Sequence, residues 1–135
     1  MRVLIADTAK TRRSLLRESL GKLGIPSSLV EECGLGDEAL RILSRKVDRI
    51  DVVLADWDLP GAEGRTLLDK IRGLDGGAGI SVVFIVYEHR RADAKEAMRL
   101  GARDFLVRPL TDEDLRTKLR NLEEKQTIRR TRAAS

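Results

Sequence analysis

Apolar residues recur along this chain in two rhythms: short unbroken runs, and longer stretches with an apolar position every three or four residues. The runs read as buried strands and the stretches as amphipathic helices. Residues 2–6 form an apolar strand that ends at Asp7. Thr8 follows as an N-cap, and Leu15, Leu16, Leu20 and Leu23 make one stripe of a helix that Gly24 and Pro26 stop. Residues 29–33 are a weaker, more polar strand, as expected at a sheet edge. Gly36 and Asp37 open a second helix, with Ala39, Leu40, Leu43 and Val47 facing the core. Residues 51–55 are a third strand, too short for a helix and apolar enough to be buried on both faces. Asp56 ends it, and Pro60 and Gly61 turn the chain into a third helix marked by Leu67, Leu68 and Ile71 and closing near Gly73. Residues 73–79 hold four glycines and read as a loose loop. A fourth strand spans residues 81–86 and ends at Tyr87; a short helix over 91–100 is stopped by Gly101; a fifth strand, 104–107, ends at Arg108 and Pro109. Thr111 caps the last helix, which carries Glu113 and Asp114 in its first turn and Leu115, Leu119 and Leu122 as its stripe.

Five strands alternating with five helices predict an α/β fold, a doubly wound parallel sheet with right-handed crossovers. The flavodoxin-like order 2-1-3-4-5 follows, because the second strand reads as an edge and the third as the most apolar-flanked. Such sheets bind ligands at the carboxyl ends of their strands. Asp7, Asp56, Tyr87 and Arg108, which end four of the strands, should therefore meet at one rim.

Composition narrows the class. At 135 residues the length predicts one domain, and 41% hydrophobic, 3% aromatic and 36% charged residues predict an aliphatic core under a charged surface. No apolar run approaches the roughly 18 residues that span a bilayer, and Met1 leads directly into the first strand with no signal peptide read. Cys33 is the single cysteine, which fits a cytoplasmic location. The net charge of +4 invites a nucleic-acid reading. Residues 125–135, however, hold Lys125, Arg129, Arg130 and Arg132 and no acid. Without those four, 22 basic residues balance 22 acidic ones. The domain at residues 1–124 is therefore not basic, and residues 125–135 read as a basic tail, a continuation of the last helix or a linker stub.

Two carboxylates at one rim, Asp7 and Asp56, repel each other unless a cation lies between them. With oxygen donors only, a hard octahedral ion such as Mg²⁺ suits them, with Asp58 close by. Arg108 could hold an anion on the third side. A metal beside a carboxylate and facing a cation suits phosphoryl transfer to that carboxylate. A competing motif is Gly34-x-Gly36-x-x-Ala39, a dinucleotide fingerprint with Asp56 twenty residues past Gly36. Asp37 and Glu38 would meet a pyrophosphate with two negative charges, and the preceding strand is too polar to be central. His89 is the single histidine and reads as solvated; Cys33 reads as packing rather than a nucleophile.

The residues Val3-Leu4-Ile5-Ala6-Asp7, then Val53-Leu54-Ala55-Asp56-Trp57-Asp58-Leu59-Pro60-Gly61 with Gly64, then Gly101-Ala102-Arg103-Asp104-Phe105-Leu106-Val107-Arg108-Pro109-Leu110 resemble the receiver domain of two-component response regulators. The match covers residues 1 to about 124, and the Asp-Trp-x-x-Pro form at Asp56 is especially similar to single-domain chemotaxis regulators. The resemblance implies that Asp56 accepts a phosphoryl group from a histidine kinase or phosphotransfer protein. It implies Mg²⁺ held by the acids after the first strand and the backbone carbonyl at Asp58. It further implies a hydroxyl after the fourth strand and a lysine after the fifth, a switch aromatic at Phe105, and a cis peptide before Pro109. The fourth helix, fifth strand and fifth helix would form the output face toward a downstream protein target, with dimerisation through that face open. On this reading the domain is a signalling receiver rather than an enzyme, with no membrane and no nucleic-acid contact of its own.

The chain departs from that pattern at three positions. Thr8 stands where a second acid is usual, Tyr87 where a small hydroxyl residue is usual, and Arg108 where a lysine is usual. A hydrogen bond to a charged group is worth about 1.5 to 3 kcal/mol, so loss of the hydroxyl alone costs one or two decades in phosphoryl chemistry. Arg108 is the mildest change, since a guanidinium still pairs with phosphate. Two readings follow: a phospho-switch with weakened chemistry and weakened Mg²⁺ binding, or a pseudo-receiver that binds partners without phosphorylation.

Overall fold

The strands and helices alternate as the hydrophobic rhythm predicts: β1 (Val3–Ala6), α1 (Lys10–Lys22), β2 (Val30–Cys33), α2 (Gly36–Lys46), β3 (Val52–Asp56), α3 (Gly64–Arg72), β4 (Ser81–Tyr87), α4 (Arg91–Arg99), β5 (Asp104–Arg108) and α5 (Asp112–Ala134). The computed structural model describes residues 1–134, and side chains through residue 124. The five strands form one sheet in the order β2-β1-β3-β4-β5, every neighbouring pair parallel. This is the flavodoxin-like doubly wound sheet that the element order predicts.

Period-two alternation splits the core into two layers. Val3 and Ile5 of β1, Val52 and Leu54 of β3, Val83 and Ile85 of β4 and Leu106 of β5 pack with Leu16 and Leu20 of α1 and Leu115, Leu119 and Leu122 of α5. The intervening residues Leu4, Ala6, Val53, Ala55, Val82 and Phe84 pack with Ala39 and Leu43 of α2, Leu67, Leu68 and Ile71 of α3 and Ala97 of α4. Helices α1 and α5 thus cover one face and α2, α3 and α4 the other. The site-forming positions Asp7, Asp56, Tyr87 and Arg108 continue the first alternation, toward the α1 and α5 side.

Several local expectations are corrected. Thr8 does not cap α1; the N-cap is Ala9, with no side-chain cap bond. The Ala9 amide donates to Asp7 Oδ1 instead (2.8 Å), so the last residue of the strand end serves the helix start. Leu15 is 59% exposed rather than part of the core stripe, which is carried by Leu16 and Leu20. The strand expected from residue 29 begins at Val30, with Ser27–Leu29 in a 3-10 turn. The glycine-rich segment is also ordered locally, Gly77–Gly79 forming a 3-10 turn with Gly77 buried. Thr111 behaves as expected, accepting the Asp114 amide on Oγ1 (3.0 Å). Helix α5 runs past residue 124 to Ala134; the side chains of the basic tail lie outside the described residues.

Candidate functional site

Asp7 and Asp56 lie side by side because β1 and β3 are paired, with Ala6 opposite Ala55. Both are buried, at 1% and 4% exposure, and they are the only buried charged residues in the described core. A buried carboxylate requires a partner. For Asp7 the partners are two guanidiniums. Arg12 of α1 donates from Nε to Oδ2 (2.8 Å) and Oδ1 (3.0 Å) and from Nη2 to Oδ1 (2.7 Å). Arg108, at the end of β5, donates from Nη2 to Oδ2 (2.8 Å). Burial pushes the Asp7 carboxyl up, but the bonds from Arg12, the Ala9 amide and Arg108 outweigh it and leave the pKa lowered. Arg12 in turn is raised by its hydrogen bond to Asp7, against a smaller opposing effect of burial.

Asp56 has looser partners. Its Oδ1 accepts the Asp58 amide (3.1 Å), and its Oδ2 faces Arg12 Nη2 at 3.4 Å and Arg108 Nη2 at 3.9 Å. Burial raises its pKa, and the nearby Asp7 charge adds to that; the Asp58 amide and the two arginines oppose it without prevailing. The carboxylate is thus aimed and flanked by cations, yet less fully satisfied than Asp7. Trp57 beside it packs edge-on against Phe84 at 5.0 Å. Gly64, with φ of +40°, lets the chain pass the indole, because a Cβ there would lie 2.8 Å from Trp57 Cζ2.

The other predicted residues are placed as follows. The Tyr87 ring lies beneath the Arg108 guanidinium, 5.5 Å from its centroid, and beside His89 at 5.6 Å. His89 itself is exposed. Thr8 is exposed and makes no part of the carboxylate cluster. Phe105 is half-buried in β5 under Lys118 Nζ at 5.2 Å. Asp58 is at the rim, but its carboxylate turns away to Arg90 Nη1 (2.6 Å). The Arg108–Pro109 peptide is cis.

This donor set does not suit a divalent ion as it stands. Both oxygens of Asp7 are taken by Arg12 and Arg108, Asp56 Oδ1 by a backbone amide, and the Asp58 carboxylate by Arg90. Among the described residues no cluster of three or more acids, histidines or cysteines could hold a metal. Two carboxylates and two guanidiniums already balance in charge, so an incoming Mg²⁺ would have to displace Arg12.

Arg12, which bonds to both carboxylates, is the member of this cluster that sequence reasoning missed. A signal was present: the first turn of α1 carries Lys10, Arg12 and Arg13 and no acid, the reverse of what a helix dipole favours. Such basic residues need local carboxylates; Arg13 takes Glu32 (3.1 Å) and the Asp7 carbonyl (2.7 Å). The dinucleotide reading fails on geometry. The Gly36 amide is spent on the Pro60 carbonyl (2.8 Å) and the Gly34 amide on Glu38 (3.1 Å), so neither faces a phosphate. β2 is also an edge strand.

A family model described as the response regulator receiver domain matches residues 3–120. The chain is 33% identical over 119 residues to chemotaxis protein CheY-3 of Vibrio cholerae, covering 88% of each. It superposes on a response regulator receiver domain protein from Clostridium thermocellum with a TM-score of 0.83 at 24% identity, over 94% of this chain and 97% of that one. The receiver domain of a Pseudomonas aeruginosa sensor histidine kinase is similar in fold (TM-score 0.75, 22% identity, 91% of this chain and 94% of that one); that structure has a magnesium ion coordinated in its active-site cleft.

Proposed function

This chain belongs to the response regulator receiver family, and from that premise we propose that Asp56 is its phosphoacceptor in a two-component pathway. The observation that carries the reading is the surroundings of one atom. Asp56 Oδ2 faces two guanidiniums, Arg12 Nη2 at 3.4 Å and Arg108 Nη2 at 3.9 Å, while the Asp58 amide fixes the other oxygen. Phosphoryl transfer asks little of a protein beyond position and positive charge around the moving group. A nucleophilic oxygen ringed by arginines supplies both. The donor is a phosphohistidine of a histidine kinase or phosphotransfer protein. Its P–N bond breaks as the bond from Asp56 Oδ2 to phosphorus forms, and the departing imidazole nitrogen keeps the electron pair and takes up a proton from solvent. Arg108 and Arg12 donate to the phosphoryl oxygens.

The chemistry is weakened relative to the family pattern, because Tyr87 stacks on Arg108 rather than offering a short hydroxyl. Binding of Mg²⁺ at Asp7, Asp56 and Asp58 is weak, since it competes with Arg12. Output is through the face of α4, β5 and α5 to a downstream protein target or a second copy of the chain. A phosphoryl group on Asp56 draws Arg108 away from Asp7 and Tyr87, and β5 carries that shift to Phe105. The test is incubation with phosphoramidate, a small P–N phosphodonor, followed by intact-mass measurement. A gain of one phosphoryl group that Asp56→Asn abolishes supports the proposal. No gain from phosphoramidate or from a phosphorylated phosphotransfer protein favours the pseudo-receiver, for which the charge-balanced carboxylate–arginine cluster is the supporting feature.

A further inference from the structure

We infer that Arg12 is the resident cation of this site, holding Asp7 and Asp56 together where a divalent metal would otherwise be needed, so that the reaction at Asp56 runs without one. The inference rests on the phospho-accepting reading for its rates and on geometry alone for its metal selectivity. One guanidinium touches both carboxylates: Nε and Nη2 fork onto Asp7, and the same Nη2 approaches Asp56 Oδ2 at 3.4 Å. A planar fork matches a carboxylate in this way where a hydrated ion would bring its own shell. The Arg12 side chain is about one-third exposed at the rim, where a phosphodonor must approach, whereas that of Arg108 is 12% exposed. Nε of Arg108 is buried with no hydrogen-bond partner among the described atoms, an unspent donor on the guanidinium that flanks the acceptor.

The arrangement is also closed in charge. Asp7 and Asp56 against Arg12 and Arg108 sum to zero, and Asp58 is separately paired with Arg90. An added Mg²⁺ would leave two surplus positive charges unless Arg12 swung out. Doing so breaks its hydrogen bonds to Asp7, each worth roughly ten- to a hundredfold in apparent affinity. Arg12 can also serve as a catalytic residue, because its Nη2 already lies beside the reacting oxygen and can follow charge onto the phosphoryl group.

The experiment compares the 135-residue chain with its Arg12→Ala and Arg12→Gln variants, both at a partly exposed helix position, with thermal melts confirming that each is folded. Trp57, adjacent to Asp56, reports Mg²⁺ by its fluorescence, and phosphoramidate labelling is run in Mg²⁺ and in EDTA. The expected result is no saturable Mg²⁺ response in the wild type at millimolar concentrations and a saturable one in both variants, lost when Asp56→Asn is added. Labelling of the wild type should change less than about threefold between Mg²⁺ and EDTA, while the variants in EDTA should label at least about tenfold more slowly. A saturable response in the wild type, or none in either folded variant, overturns the inference. Absence of any phosphoryl adduct in all proteins, with the Mg²⁺ response confined to the Arg12 variants, overturns the phosphoacceptor reading and upholds the resident cation. Wild-type labelling that requires Mg²⁺ does the reverse.

Discussion

Replacing Asp7 by Asn should cost this domain more stability than any other change at the rim. Asp7 is 1% exposed and accepts four N–H groups: Arg12 Nε and Nη2, Arg108 Nη2 and the Ala9 amide. Asn keeps the volume and one acceptor oxygen, but turns an amide toward the guanidinium donors and leaves two arginines sharing Asp56. Removing one member of a buried ion pair typically costs 3–5 kcal/mol. Arg12 is partly exposed and regains some hydration, so the lower end, about 3 kcal/mol, applies, or roughly 10 °C in Tm for a domain of this size. Urea unfolding followed by Trp57 fluorescence, repeated from neutral pH into acid, measures it. The folded Asp7 carboxyl is lowered, so its contribution is fully present above the unfolded value near 3.9 and is lost as pH falls through the folded one. The gap between wild type and variant should hold from neutral pH to about pH 4 and close below it. A gap under about 0.5 kcal/mol at neutral pH, or one that widens in acid, would refute the assignment of Asp7 as the site's anchoring charge.

Asp56→Asn should do the opposite and stabilise the fold at neutral pH. The folded Asp56 carboxyl is raised, chiefly by burial, so its charge costs stability above the folded value and that cost fades as pH falls toward the unfolded one; the same titration reads it. Gly64→Ala, strained at φ +40° and pressed onto Trp57, should cost about 1–3 kcal/mol and shift the Trp57 emission maximum. Cys33, whose thiol burial pushes up to about 12, should resist alkylation in the native protein at mildly alkaline pH and react fully in urea. Leu20→Ala in the core should lose about 2–5 kcal/mol, whereas the exposed Leu15→Ala should stay within about 0.5 kcal/mol in chemical denaturation.

What could be read from sequence were the features that obey local periods. A strand buried on both faces shows itself as an unbroken apolar run, and one that ends on Asp56 puts that carboxylate at a strand terminus whatever lies around it. Period-two alternation then sends Asp7, Asp56, Tyr87 and Arg108 to one side, and the more polar β2 takes the edge. These are consequences of backbone geometry, and the sheet realises them in the order expected.

The partners of those carboxylates followed no such period. Arg12 carries a long side chain, and its reach to both Asp7 and Asp56 depends on how α1 lies across the seam between β1 and β3. The same placement of α1 leaves Leu15 out of the apolar stripe, and the turn before α4 separately brings Arg90 onto Asp58. Sequence by itself determined which acids stand at the rim of this sheet. Only the packed structure decided which cation holds them, because that depends on distances between elements far apart in the chain and on a burial that forces each charge to find a partner.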